Sequence, residues 1–99
     1  MSKFGDLIKS DIPILIDFYS NREEAQEEKA TEVLLEVATN LGKRARVIKI
    51  NIEKNEVLTK ALQIKNDPTF IIYQNNEMKW RQSGSQKAST LINLVEQFL

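Results

Sequence analysis

Cysteine and histidine, the side chains that most readily act as nucleophile or base near neutral pH, do not occur in this sequence. Disulfide exchange needs a thiolate, so dithiol chemistry is excluded, as are disulfide staples and zinc sites built on Cys or His. What remains for chemistry is carboxylates, hydroxyls and amines. Asp17 is a lone charge in the apolar run 12–19, where burying it unpaired would be costly. Glu23, Glu24, Glu27 and Glu28 crowd the start of a helical segment. They could form an acidic surface for a basic peptide or a weak divalent-cation site. The helix dipole already accounts for them, at roughly 0.3–1 kcal/mol per carboxylate. Hard cations require converging oxygens, and these four are only sequence neighbours, so no metal and no cofactor is expected.

The composition bounds the rest. The chain has 99 residues, which fits one domain spanning 1–99, and it is 41% hydrophobic and 28% charged, an ordinary globular mixture. Fourteen Lys and Arg balance 14 Asp and Glu, which gives no electrostatic reason to expect nucleic acid. The tightest basic group, Lys43, Arg44 and Arg46, reads as a solvated loop. No apolar run near the N-terminus suits a signal peptide, and the longest apolar stretch, 12–16, cannot span a bilayer. A cytoplasmic protein that does not engage membranes is the expectation.

Helices and strands alternate along the chain. A short helix is expected over 3–9, with Phe4, Leu7 and Ile8 on one face. Residues 12–19 form a strand apolar enough to be buried on both faces. A helix over 22–41 carries Ala30, Val33, Leu34, Val37, Ala38 and Leu41 as a stripe, with Asn21 and Glu24 as a capping pair and Gly42 as its stop. Strand 45–52 alternates β-branched residues, and helix 55–63 turns Val57, Leu58, Ala61 and Leu62 inward. Strands 69–74 and 77–82 flank Asn75-Asn76, a pair that tolerates the positive φ of a tight hairpin. In that hairpin Met78 and Trp80 share one face by parity. Helix 86–98 closes the chain. The first two strands flank a helix and should be parallel with a right-handed crossover.

This order, with particular residues, resembles the thioredoxin family. Residues 14–19 (Ile-Leu-Ile-Asp-Phe-Tyr) are similar to the family's central strand and residues 48–53 to the next one. Asp67-Pro-Thr-Phe70 is similar to its cis-proline loop, residues 73–77 to its hairpin turn, and Gly84 to the glycine before its last helix. The resemblance implies a thioredoxin-like three-layer α/β/α sandwich around a central mixed four-stranded sheet, the family's first strand having no room before residue 3. It also implies a cis Asp67–Pro68 bond.

Where the family carries Cys-x-x-Cys this chain has Glu23, Glu24, Ala25, Gln26 and Glu27, in a register uncertain by one residue. The resemblance further implies a groove made by Tyr19, Ser20, Asn21, Arg22, Asp67, Pro68 and Thr69, in which backbone beside the proline pairs with an extended peptide. Asp67, Glu23 and Glu24 would tilt it toward basic or polar ligands. Asp17, matched to a buried aspartate of the family, is expected to pair with Lys49. The implied protein is redox-inactive, not an enzyme of dithiol exchange, and an adaptor or holdase for an unidentified peptide or protein partner. Two alternatives stand beside it. One is a degenerate paralogue with a structural or dimerising role. The other is a glutathione-binding enzyme using Tyr19 or Ser20. The strand 45–52 would be a sheet edge, guarded by Lys43, Arg44, Arg46 and Lys49, and a monomer is expected over an edge-strand homodimer.

Overall fold

The computed structural model describes residues 3–20 and 23–99. Its elements run α1 (Lys3–Leu7), β1 (Ile14–Tyr19), α2 (Glu24–Leu41), β2 (Arg46–Asn51), α3 (Glu56–Ala61), β3 (Thr69–Gln74), β4 (Glu77–Ser83) and α4 (Ala88–Glu96), with a 3₁₀ turn at Gly42–Arg44. The strands form one sheet in the order β2-β1-β3-β4. β2 is parallel to β1, while β3 is antiparallel to both β1 and β4. No helix among the described residues is long and apolar enough to cross a membrane.

Two apolar clusters sandwich the sheet. On one face Leu15, Phe70 and Ile72 meet Leu34, Val37 and Leu41 of α2 and Ala88, Leu91, Ile92 and Val95 of α4. On the other, Ile14, Ile16, Phe18, Ile71 and Tyr73 meet Phe4, Leu7 and Ile8 near α1 and Leu58, Leu62 and Ile64 around α3. Alternate residues of β1 and β3 feed opposite clusters, which is why both strands read as unbroken apolar runs. Each fully buried aliphatic side chain contributes about 1.5–3 kcal/mol.

Local chemistry sets the boundaries. Gly42 ends α2 at φ +55 and donates its N–H to the Ala38 carbonyl, a left-handed stop that favours glycine. The hairpin turn uses Asn75 (φ +52) and Asn76 (φ +69). Their N–H groups donate to the Ser10 (2.8 Å) and Ile8 (2.9 Å) carbonyls, and Phe4 meets the Tyr73 ring edge-on at 5.3 Å. Gln74 Nε2 donates to both the Asp11 (2.9 Å) and Phe98 (2.8 Å) carbonyls.

Some sequence expectations are corrected. Of the residues expected to turn inward around α3, Leu58 and Leu62 pack beneath the sheet, whereas Val57 is 86% exposed and Ala61 also faces solvent. The residue that caps α2 is Glu23, in extended conformation and without a side-chain cap bond. The expected cap, Asn21, lies outside the described residues, as does Arg22. Short Ser, Thr, Asp and Asn reach the first-turn amides best, so Glu23 serves by backbone conformation and by charge at the dipole. Met78 and Trp80 do not share a face. Trp80 pairs with Ile72 and Met78 with Tyr73, so Lys79 is an extra residue that inverts the alternation. Trp80 thereby packs on the α2/α4 cluster, while Met78 stays exposed.

Leu91 is fully buried and Leu35 is 64% exposed. Leu91→Ala should therefore cost about 2–5 kcal/mol in urea unfolding, and Leu35→Ala should stay within about 0.5 kcal/mol. Burial raises the Tyr73 phenol above its ordinary range, partly opposed by the Arg81 charge. Its stabilising contribution is then complete below the unfolded value of about 10 and is lost as pH rises above it. Tyr73→Phe should flatten the alkaline limb of a stability–pH profile.

Candidate functional site

The sheet topology delivers three chain segments to one end. β1 and β2 run parallel and exit there, and antiparallel β3 enters there. α2 starts immediately after β1, so its first turns sit over the same end.

The exit of β1 and the entry to β3 are joined directly. Ser20 donates its backbone N–H to Asp67 Oδ1 (3.1 Å) and its hydroxyl to Asp67 Oδ2 (2.6 Å). The carboxylate thus clasps two segments 47 residues apart. The Asp67–Pro68 peptide bond is cis. The Pro68 carbonyl accepts from the Gly84 N–H at 2.8 Å, and Gly84 sits at φ +96, where a side chain would be strained. Thr69 is buried, its hydroxyl donating to the Asn66 carbonyl (2.7 Å) and lying 3.3 Å from Ser83 Oγ. This loop is held from both sides.

Between the loop and α2 lies a cleft of about 360 Å³. Asp17, fully buried, forms part of its lining. Gln26, Lys29, Ala30 and Val33 line the α2 side; Asp67, Pro68 and Phe70 line the loop side; Ser85 and Gln86 complete the rim. The α2 residues recur at steps of three, one and three, one face of a helix.

Lys49 is the register partner of Asp17 on the adjacent strand. Its ammonium forms an ion pair with Glu27 and stands 4.6 Å from the centre of the Tyr19 ring, a cation–π contact. Lys49 thereby ties β2 to the first turns of α2. Glu23, Glu24, Ala25 and Gln26 are exposed. Among the described residues no three His, Cys, Asp or Glu converge to hold a metal ion.

The structure therefore gathers Asp17, Gln26, Asp67 and Pro68 at one cleft, with Ser20 clasped to its edge, and sets Tyr19, Glu27 and Lys49 together beside it. The Glu27–Lys49 pair and the walls Lys29, Phe70, Ser85 and Gln86 were not anticipated. The helical step from Gln26 to Lys29, Ala30 and Val33 was the sequence signal for the α2 wall, and Phe70 closes the loop motif that carried the resemblance.

A mixed four-stranded sheet covered by helices on both faces, with a cis-proline loop set against the exit of the central strand, defines a thioredoxin-fold protein. The Thioredoxin family model matches residues 1–97, and the chain belongs to that family. It is 35% identical over 99 residues to the chloroplastic thioredoxin Y of Oryza sativa subsp. japonica, covering 99% of this chain and 58% of that protein. It is 27% identical over 90 residues to the thioredoxin of Rickettsia bellii, covering 91% and 85%. Among solved structures it is similar to thioredoxin f2 of Chlamydomonas reinhardtii, with TM-score 0.80 and 25% identity over 95% of this chain and 87% of that one. It also shares the fold of oxidised thioredoxin from Plasmodium falciparum, with TM-score 0.80 and 20% identity over 99% and 91%.

Ser20→Ala removes the hydroxyl bond to Asp67 and leaves the backbone bond. A stability loss of about 1 kcal/mol in urea unfolding is expected, with amide shift changes concentrated at 66–69 in NMR spectra.

Proposed function

We propose that this chain binds extended peptide or protein segments at the cleft beside the cis Asp67–Pro68 loop, as an adaptor or holdase, without dithiol exchange. The observation that carries this reading is a family cleft kept in form, with its loop braced at Ser20 and Gly84, in a chain that has no sulfur nucleophile. In this reading Glu23 and Gln26 take the two positions where relatives carry their thiols: Glu23 caps α2 and Gln26, one turn on, faces the cleft. Neither carboxylate nor amide forms a mixed disulfide. Strand addition needs only main-chain groups and pockets for alternate side chains. Asp17, Asp67, Glu23 and Glu24 around the cleft, against Lys29, favour basic or polar segments.

The test is titration of ¹⁵N-labelled protein with extended peptides of differing charge. Shifts should cluster at 19–20, 23–26 and 66–69, and basic peptides should bind more tightly than acidic ones. Pro68→Ala should weaken binding at least about tenfold, or ~1.4 kcal/mol. The absence of shifts at these residues overturns the binding reading. Turnover in an insulin-reduction assay overturns the redox-inactive one.

A further inference from the structure

The cleft beside the cis-proline loop is layered. Its middle is apolar, with Ala30 and Val33 on the α2 side and Pro68 and Phe70 on the loop side. Asp17, fully buried, closes its inner side. The exposed residues Gln26, Lys29, Asp67 and Ser85 stand at its mouth. Its volume of about 360 Å³ lies at the low end of ligand pockets, roughly 300–1,000 Å³. That is room for one side chain and not for a folded element. Its lining carries two carboxylates, Asp17 and Asp67, against the single ammonium of Lys29. Lys29 is exposed, where water and salt screen its charge, whereas a charge set among apolar walls acts over a longer reach. The neighbouring cation, Lys49, is taken up by Glu27 and the Tyr19 ring.

We propose that the cleft is a socket for one long basic side chain, lysine or arginine, of the bound segment. This rests on the peptide-binding reading and names what that segment must carry. Strand addition turns alternate side chains of a guest to opposite sides, so a segment paired beside Pro68 directs one of them between the loop and α2. Its hydrocarbon stem covers Ala30, Val33, Pro68 and Phe70, and the cation at its end is brought toward Asp17, the two-part fit of an amphipathic side chain. The competing occupants fit worse. A purely apolar side chain would strip water from Asp67 and Gln26 and return no hydrogen bond. An acidic one would bring like charge to Asp17 and Asp67. A short basic one would leave the apolar middle unfilled.

Three otherwise identical extended peptides test this by fluorescence anisotropy and ¹⁵N amide shifts. One carries lysine at its centre, one norleucine (the same stem without charge), and one diaminobutyrate (the same charge on a short stem). The lysine peptide should bind at least about tenfold more tightly than either of the others. Ala30→Leu places another good helix former in the apolar middle and should cancel that advantage by filling the socket. Shifts at 66–69 should persist in that variant, since pairing to the loop does not use the socket. Norleucine binding as tightly as lysine overturns the proposal in favour of a plain apolar pocket. Diaminobutyrate binding as tightly reduces it to surface attraction, and a lysine advantage that survives Ala30→Leu places the charge recognition elsewhere. Each of these removes the socket and leaves the peptide-binding reading standing. If no peptide binds at all, both fall together.

Discussion

Burial of β1 and β3 on both faces is the constraint from which the rest of the structure follows. Ile14, Leu15, Ile16, Phe18, Ile71 and Ile72 are fully shielded from solvent, so these two strands must occupy the middle of the sheet with helices on both sides. A strand enclosed in this way can present chemistry only at its ends. Asp17 is the exception that points to the site: it lies in the middle strand but close enough to its exit to line the cleft. The loops at that exit then inherit the functional burden, and the Ser20–Asp67 clasp fixes how far apart they stand.

Most of the fold was legible in the sequence because its signals are local. Unbroken apolar runs marked the central strands, a helical stripe marked α2, and Asn75-Asn76 and Gly42 marked points where the backbone must turn left-handed. The family resemblance added the proline loop. Less legible were features decided by distance in space. Glu27 and Lys49 are 22 residues apart, and only the right-handed crossover brings them together. Ser20 and Asp67 both read as groove residues through the family resemblance, but nothing local joins them as a bonded pair across 47 residues. The bulge at Lys79 left no local trace, since the alternation before and after it is regular, and it reversed the facing of Met78. The helix start was misplaced because a good capping residue type at Asn21 competes with the observed cap at Glu23.

The acidic crowding at the start of α2 resolves into separate roles. Glu24 and Glu27 lie in the first turn, where the dipole favours negative charge, and Glu27 additionally holds Lys49. That pair is partly exposed, and such pairs are worth at most about 1 kcal/mol. It joins the first turn of α2 to β2 beside the cleft, while the buried stripe of α2 fixes the helix on the sheet.

The bifurcated Gln74 amide carries a consequence for the ends of the molecule. One NH₂ group satisfies a carbonyl beside the first strand and another beyond the last helix. Fraying of either terminal stretch leaves that group half-bonded and lowers the cost of releasing the other. The two extremities, remote in sequence, should therefore exchange their amide protons as one cooperative unit rather than as two independent ones.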